Sequence, residues 1–281
     1  MAHFVVLTLL ALTGFGGSAA AQENSPPKAP PEKAADAKGR SFVDEFNGID
    51  RQRWFASHGW SNGPHQGCGW SRKNVRIVDG VLELVLSEDP DSEFRFACGE
   101  LQSRAFYGYG TYEVRMQAAA APGTVSAFFN YTGSPHGKPH DEIDFEVLGK
   151  DTKRVQLNYY VGGSGKHETF PDLGFDSSTR MADYAFQWLP DTLRWYIDGK
   201  LVREEKASSD RPIPEHSTKL YISLWNGSGP NMEMWLKPFV YPGQPLIARY
   251  ERLAFTAAGE ACQFPTSIVC TPDFATGGPK R

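Results

Sequence analysis

Short runs of alternating apolar and polar residues follow one another along most of the chain, from Ser41 to about Phe255. Residues 81–86, 110–116 and 193–197 are clear examples. A period of two residues is the pattern of a β-strand that buries one face. No stretch of ten or more residues has a convincing helical period. The pattern therefore predicts many short strands and little helix.

Turn signals separate these runs. Asp79-Gly80 and Asp198-Gly199 each lie between two alternating runs. An Asp-Gly pair favours a two-residue hairpin because both turn positions need positive φ. Many short strands joined by tight turns are typical of a sandwich or a barrel. We therefore predict an all-β domain over residues 41–270.

The two ends of the chain differ in composition from this domain. An apolar run at residues 4–12 is too short to span a bilayer, and small residues suited to signal-peptide cleavage follow at 18–21. Only the amino terminus and His3 can carry positive charge before the run, which is atypical of a signal peptide. The alternative to a signal peptide is a membrane anchor. The predicted segments are a signal peptide at residues 1–21, a flexible Pro/Ala/Lys-rich leader at 22–40 and a tail at 271–281.

Composition narrows the classes of function. The 281 residues have a formal net charge of −4 at pH 7, and no basic stripe typical of nucleic-acid-binding proteins is visible. Aromatic residues make up 13% of the chain, and such rings stack on sugars as well as filling cores. We assign Trp70, Trp188 and Trp195 to the core. We expect a secreted or periplasmic monomer that binds neither nucleic acid nor, once the signal peptide is removed, a membrane.

The four cysteines agree with export, because disulfides persist in oxidising compartments. Four cysteines allow three pairings. One of these pairings joins Cys262 to Cys270 across a short C-terminal loop and leaves Cys68 and Cys98 to connect two segments that flank a hairpin. Metal binding is the rival interpretation, but no C-x-x-C motif or Cys/His cluster with metal-site spacing is present.

An acidic strand at residues 140–149 is the feature that points to chemistry. Strand side chains alternate between faces, so Glu142, Asp144 and Glu146 share one face and the apolar residues between them share the other. Neighbouring acids on that face are about 6.6 Å apart along the strand, and like charges this close raise the pKa of at least one carboxyl group. A solvated acidic face is the alternative. Because no Lys or Arg in the strand offsets three acids, we favour a catalytic function.

The spacing of these acids is compatible with glycoside hydrolysis. A retaining glycosidase needs two carboxyl groups about 5–5.5 Å apart, one to attack the anomeric carbon and one to protonate the leaving oxygen. On a curved strand the long side chains of Glu142 and Glu146 can lean toward each other over Asp144, which can share a proton with a neighbour. Such a reaction requires no cofactor.

Residues 141–146 resemble the E-x-D-x-E signature of glycoside hydrolase family 16, which includes the bacterial lichenases. The resemblance implies a concanavalin-like jelly-roll β-sandwich of two antiparallel sheets with a concave substrate cleft. It also implies that Glu142 is the nucleophile, Glu146 the acid/base and Asp144 the assisting carboxylate. The likeness runs from Phe42 to about Phe255 and includes residues 60–63, 68–70, 98–100, 106–113, 173–176 and 224–227.

Two details of the resemblance bear on structure and substrate. The Cys68–Cys98 pairing matches a disulfide of the lichenases, and related enzymes often hold a structural calcium that this sequence does not let us place.

Residues 99–102, 138–140 and 255–264 are similar to the secreted rhizobial endo-glycanases that trim succinoglycan-type exopolysaccharide. A lichenase would carry Trp, Arg and Asn, each expected to touch glucan, at His140, Gln102 and Ser223. These departures weaken the case for cereal-type mixed-linkage glucan as the natural substrate.

Sugar-binding clefts combine aromatic walls with a few placed polar groups. Trp60, Tyr131 and Trp225 are our candidates for stacking on sugar rings, with core packing as the alternative for each. His140 has the strand parity of Glu142 and is a candidate cleft residue, with a solvated position at the strand entrance as its alternative. The candidate polar partners of sugar hydroxyls are Asn62, Glu100 and Asn158.

The sequence therefore predicts a retaining endo-β-glycanase that acts on a β-1,3/1,4-linked glucan or a bacterial exopolysaccharide. Two alternatives stay open. A transglycosylase would use the same residues with a sugar hydroxyl in place of water. A carbohydrate-binding sandwich without catalysis would release no reducing ends.

Overall fold

The computed structural model describes residues 40–270. The predicted signal peptide, the leader up to residue 39 and the tail lie outside the described residues. Within the described part, no helix is long and apolar enough to cross a membrane.

Strands dominate the described chain, and its single α-helix, α1 (Pro230–Leu236), is seven residues long. The expectation that residues 41–270 contain no helix of ten or more residues is confirmed. Three 3₁₀ turns cover Arg72–Asn74, Ser134–His136 and Ile268–Cys270. The strands are β1 (Phe42–Asp44), β2 (Trp54–Ala56), β3 (Cys68–Trp70), β4 (Val75–Val78), β5 (Val81–Glu88), β6 (Phe96–Ser103), β7 (Gly110–Gln117), β8 (Thr124–Thr132), β9 (Asp141–Leu148), β10 (Gln156–Tyr160), β11 (Ala182–Trp188), β12 (Thr192–Ile197), β13 (Lys200–Lys206), β14 (Lys219–Asn226) and β15 (Leu246–Ala257).

The strands form two sheets that share β6. One sheet, here called the cleft sheet, has the order β10-β9-β8-β14-β6, with β2 also on β6. The other, the outer sheet, continues from β6 as β5-β15-β7-β11-β12-β13, with β1 on β15 and β4 on β5. All of these pairs are antiparallel, and only the short pairing of β3 with β6 is parallel. The predicted antiparallel jelly-roll sandwich is confirmed.

The strand β6 passes from one sheet to the other near its middle. Residues 96–98 pair with β5, whereas residues 99–102 pair with β14. A Cβ atom at Gly99 would lie 2.4 Å from the carbonyl oxygen of Asn74. This close backbone approach explains why glycine occupies the crossing point.

The core lies between the two sheets and takes one face of every long strand. On β9, Ile143, Phe145 and Val147 are fully buried. The ring of Phe145 packs against Tyr184 of the outer sheet, with ring centroids 5.5 Å apart. Burial of each such side chain stabilises the fold by roughly 1.5–3 kcal/mol. The core assignment of three tryptophans is also confirmed, since Trp70, Trp188 and Trp195 are all buried.

Both disulfide pairings considered from the sequence are present, Cys68–Cys98 and Cys262–Cys270. The first joins β3 to β6 close to the point where β6 changes sheets. Both of its cysteines are fully buried. This bridge therefore constrains the chain where the two sheets meet.

Removing the Cys68–Cys98 bridge with a Cys68→Ser/Cys98→Ser double substitution should lower Tm by roughly 6–16 °C. The expectation follows from the entropy of a 30-residue separation, worth roughly 3–4 kcal/mol. Calorimetry measures the change. The matched Cys262→Ser/Cys270→Ser variant opens a loop of only eight residues and should lose less. If Tm falls equally or further in that control, the larger stabilisation does not come from the Cys68–Cys98 bridge.

Candidate active site

The alternation of β9 places Glu142, Asp144 and Glu146 on the open face of the cleft sheet, opposite its buried apolar residues. The three acids line two connected cavities of about 730 and 480 Å³, here called the long arm and the short arm. All three carboxyl-bearing side chains belong to both arms. They therefore lie at the middle of a trough that extends in two directions.

Most of the predicted substrate-binding residues line the long arm. Trp60 is exposed and stacks on Phe55, with ring centroids 6.1 Å apart. Asn62 accepts a hydrogen bond from the indole N–H of Trp70 at 3.1 Å. The predicted residues that line this arm are Trp60, Asn62, Glu100, Tyr131, His140 and Trp225.

Asn158 is the one predicted contact that the structure does not bring to the trough surface. It lies directly opposite Asp144 in the pairing of β9 with β10, but it is buried and lines neither arm. Its side-chain oxygen accepts a hydrogen bond from the backbone N–H of His167 at 3.2 Å. The side-chain oxygen that was expected to bind a sugar hydroxyl is thus bound by the backbone of the loop around His167.

Glu146 is held by a short relay of hydrogen bonds. The indole N–H of Trp235 donates to Oε1 of Gln156 at 2.8 Å, and Nε2 of Gln156 donates to Glu146 at 2.6 Å. Because an indole only donates, it determines which end of the Gln156 amide faces Glu146. Burial and then the charge of Glu142 raise the pKa of Glu146 to about 8, against the opposing effect of the Gln156 bond. At neutral pH the protonated form of Glu146 therefore predominates.

Asp144 is the most buried of the three acids, with 3% of its surface exposed. Burial is the largest cause that raises its pKa well above the ordinary value, followed by the charges of Glu142 and Glu146. A hydrogen bond to Glu142 acts in the same direction. A protonated Asp144 can therefore donate to Glu142, which keeps the three acids from carrying three charges together.

His140 faces the trough and contacts Glu142 directly. Its Nε2 lies 2.6 Å from Oε2 of Glu142. The imidazole stacks on Tyr160 at a centroid distance of 4.8 Å and meets Tyr131 edge-on at 5.2 Å. His140 therefore packs against other side chains of the trough, with 35% of its side chain exposed. Since a carboxylate only accepts, Nε2 must carry the proton when Glu142 is ionised.

A second buried acid lies farther along the long arm. Glu100 accepts a hydrogen bond from the hydroxyl of Ser57 at 2.5 Å, and Gln102 donates to the same hydroxyl at 3.0 Å. Burial raises the pKa of Glu100 to about 7, although the Ser57 bond opposes that shift. Glu100 therefore titrates near neutrality, which suits a group that exchanges hydrogen bonds with hydroxyls.

The short arm was largely missed by sequence reasoning. Gln156 and Tyr160 pair with Glu146 and Glu142 and share the strand parity of Asn158, so a parity argument that started from Asn158 would have found them. Phe170 lies in a loop and Trp235 in the short helix α1. Neither segment has a hydrophobic period that predicts which way its side chains face. The residues that line this arm beside the three acids are Gln156, Tyr160, Glu168, Phe170, Met232 and Trp235.

No cluster of three or more His, Cys, Asp or Glu side chains suited to a metal ion occurs within residues 40–270. The carboxyl groups of the trough are instead held by histidine, glutamine and one another.

The raised pKa of Glu146 makes a prediction about stability. A carboxyl group whose pKa is higher in the folded state binds its proton more tightly there, so the protein loses stability as the pH rises from about 4.5 toward 8. Glu146→Gln removes this loss. We expect the Tm of the variant to match the wild type at pH 4 and to exceed it at pH 8.5 by at least about 2 °C.

Thermal melts across this pH range measure the effect. Glu93→Gln, at an exposed residue, is the matched control and should track the wild type throughout. If the plot of Tm against pH for Glu146→Gln runs parallel to that of the wild type, the pKa of Glu146 is not raised in the folded protein.

Comparison with known proteins identifies the family. The profile described as glycosyl hydrolases family 16 matches residues 62–237. The endo-1,3-1,4-beta-glycanase ExoK of Rhizobium meliloti (strain 1021) is 46% identical over 231 residues, which cover 82% of this chain and 84% of that protein. The beta-glucanase of Bacillus subtilis (strain 168) is 43% identical over 225 residues, covering 79% of this chain and 89% of that protein.

A solved structure gives the same result. Bacillus licheniformis beta-glucanase matches with a TM-score of 0.72 and 41% identity, and the match covers 77% of this chain and 97% of that one. The profile spans more than half of the chain, and both relatives align over most of it. The protein therefore belongs to glycosyl hydrolase family 16 and is a glycoside hydrolase.

Proposed function

We propose that residues 41–270 form the catalytic domain of a secreted, retaining endo-β-glycanase that needs no cofactor. Its substrate would be a β-1,3/1,4-linked glucan or a succinoglycan-type bacterial exopolysaccharide. One observation carries most of the proposal: Glu142, Asp144 and Glu146 lie together at the junction of two arms of one trough. A trough that continues on both sides of the reacting groups accommodates an internal bond of a polymer, which is the basis of endo-cleavage.

The proposed reaction is a double displacement. Glu142 attacks the anomeric carbon and forms a glycosyl-enzyme, while Glu146 gives its proton to the departing glycosidic oxygen. Glu146 then takes a proton from water, whose oxygen displaces Glu142 and releases the sugar. The raised pKa of Glu146 supports this role, because a general acid must hold its proton at the working pH.

The surroundings of the nucleophile also support this assignment of roles. The imidazole of His140 and the carboxyl group of Asp144 both hydrogen-bond to Glu142. Two such partners orient a carboxylate for attack and stabilise it as the leaving group in the second step. The proton on Asp144 limits the repulsion that an ionised Glu142 meets in a buried site.

Substrate preference is proposed from the relatives and from the lining of the long arm. The relatives named above are an endo-1,3-1,4-beta-glycanase and two beta-glucanases. The three positions at which this chain departs from the lichenase pattern, Gln102, His140 and Ser223, all line the long arm. We therefore expect any difference from a lichenase in substrate choice to originate in this arm.

Azide rescue tests the assigned roles. We expect Glu142→Ala and Glu146→Ala each to lower kcat on an aryl β-glycoside of a β-1,3/1,4-glucan oligosaccharide by about a thousandfold. Azide should then take the place of the lost nucleophile in Glu142→Ala and yield an α-glycosyl azide. In Glu146→Ala it should instead attack the glycosyl-enzyme and yield a β-glycosyl azide. NMR of the products distinguishes the two configurations.

The exposed Glu93→Ala variant serves as the control and should keep wild-type activity. Identical azide products from both active-site variants would contradict the two roles. Sizing the products of the wild type on lichenan, laminarin and a succinylated exopolysaccharide separates the alternatives. A transglycosylase would also make longer chains, and a binding sandwich would release no reducing ends.

His140 is the departure closest to the reacting groups, and we propose that it helps to select a substituted polymer. His140→Trp restores the large stacking surface of a lichenase and removes the hydrogen bond to Glu142. Loss of the Glu142 bond affects both polymers alike, so the change in preference comes from the added stacking surface. We expect the ratio of kcat/KM on lichenan to that on succinylated exopolysaccharide to rise about two- to tenfold, the equivalent of one ring-stacking contact. Competition between the two polymers measures this ratio, and an unchanged ratio would refute the proposal.

A further inference from the structure

The face of the cleft sheet continues beyond the long arm by one more row of side chains. Gln102 on β6 and Tyr221 on β14 pair with each other, and both line the long arm. Arg104, just past the end of β6, and Lys219, the first residue of β14, lie two positions farther along. Lys219 shares a strand face with Tyr221 and lies opposite Tyr131, which also lines the arm. The charge of Arg104 acts on Lys219 from just beyond β6, so both cations lie at this end of the arm.

A third cation lies beside these two. The ammonium group of Lys138 is 4.3 Å from the ring centroid of Phe106, and that of Lys219 is 5.6 Å from the same centroid. Phe106 in turn meets His136, which lines the long arm, at a centroid distance of 5.2 Å. We call Arg104, Lys138 and Lys219 the cationic rim.

Two of the rim's three cations, Arg104 and Lys219, lack a carboxylate partner in the described chain, residues 40–270. Elsewhere on the sheets arginines do find such partners, as Arg53 does with Asp44 at 3.1 Å. Lys219 is half-buried, and its burial together with the charge of Arg104 lowers its pKa. An anion from outside the chain would relieve this repulsion.

Aromatic rings are interleaved with these cations. The guanidinium of Arg104 lies 5.3 Å from the ring centroid of Phe55, which stacks on Trp60 of the long arm. The ring of Phe106 contacts both lysines. These rings hold the cations by cation–π contacts, and ammonium and guanidinium groups bind carboxylates. The rim thus offers positioned positive charge to an acidic polysaccharide.

We propose that the cationic rim binds a carboxylate substituent of a polysaccharide whose backbone occupies the long arm. The inference rests on the proposed function and deepens it, because it makes an acidic glycan the preferred substrate. Arg104 and Lys219 pair with the carboxylate, and the rings of Phe55 and Phe106 hold these two cations in place. The long arm itself is lined by four acids and by no Lys or Arg, so a negatively charged substituent gains binding energy at the rim and not within the arm.

The test compares one polymer with and without carboxylates. Arg104→Gln/Lys219→Gln removes two charges of the rim, and Lys73→Gln/Lys200→Gln removes two exposed lysines elsewhere as a matched control. We expect the rim variant to lose about three- to tenfold in kcat/KM on lightly carboxymethylated lichenan, as for two exposed ion pairs. It should keep wild-type kcat/KM on unmodified lichenan, and the control should behave as wild type on both. Raising the salt concentration should remove the wild-type advantage on the charged polymer.

Affinity electrophoresis of Glu142→Gln protein, with and without the rim substitutions, measures binding when nothing is cleaved. If the wild type cleaves neither lichenan nor succinylated exopolysaccharide, the proposed function fails, while the gel still tests the rim. If the rim variant loses kcat/KM equally on both polymers, or if the control variant shows the same loss, the proposal that the rim binds carboxylate is wrong. An equal loss of kcat/KM on sulfated lichenan would contradict the preference of the rim for carboxylate.

Discussion

The alternation of side chains along β9 is the constraint on which the active site depends. Ile143, Phe145 and Val147 are buried between the sheets, and their burial stabilises the fold by several kcal/mol in total. The strand cannot present the acids anywhere but in the trough while those residues remain in the core. A slip of one residue in register would exchange the two faces, and the pairings with β8 and β10 on either side oppose it. The packing of the apolar face thus positions the three proposed catalytic groups on the opposite face.

The cost of this arrangement is electrostatic, and the groups around the acids reduce it. Three carboxyl groups in a partly buried site cannot all be ionised. Burial and repulsion raise the pKa values of Asp144 and Glu146, so both favour the protonated form. The bond from His140 to Glu142 and the Gln156–Trp235 relay to Glu146 give chemically similar side chains on one strand different hydrogen-bond partners. A surface strand with the same three acids would carry three charges and no such division.

Sequence reasoning predicted the parts of this site that depend on strand parity. The sandwich, the shared face of the acids and the cleft position of His140 all follow from a period of two. It did not reveal the short arm, because Phe170 and Trp235 lie outside strands, where no period indicates their direction. It also misplaced Asn158, whose parity is right but whose surface is covered by the loop that carries His167. Loop conformations depend on contacts between residues far apart in the sequence. The local alternation of apolar and polar residues carries no information about such contacts.

The central claim is that burial and mutual repulsion keep a proton on Glu146 at neutral pH while Glu142 supplies the charge beside it. A ¹³C NMR titration of the side-chain carboxyl groups, assigned with Glu142→Gln and Glu146→Gln proteins, measures this directly. The account predicts that Glu146 titrates at about pH 8 and that its pKa falls when Glu142 is replaced by Gln. A Glu146 carboxyl that titrates near its ordinary value of 4.5, and that does not respond to the loss of Glu142, would contradict it.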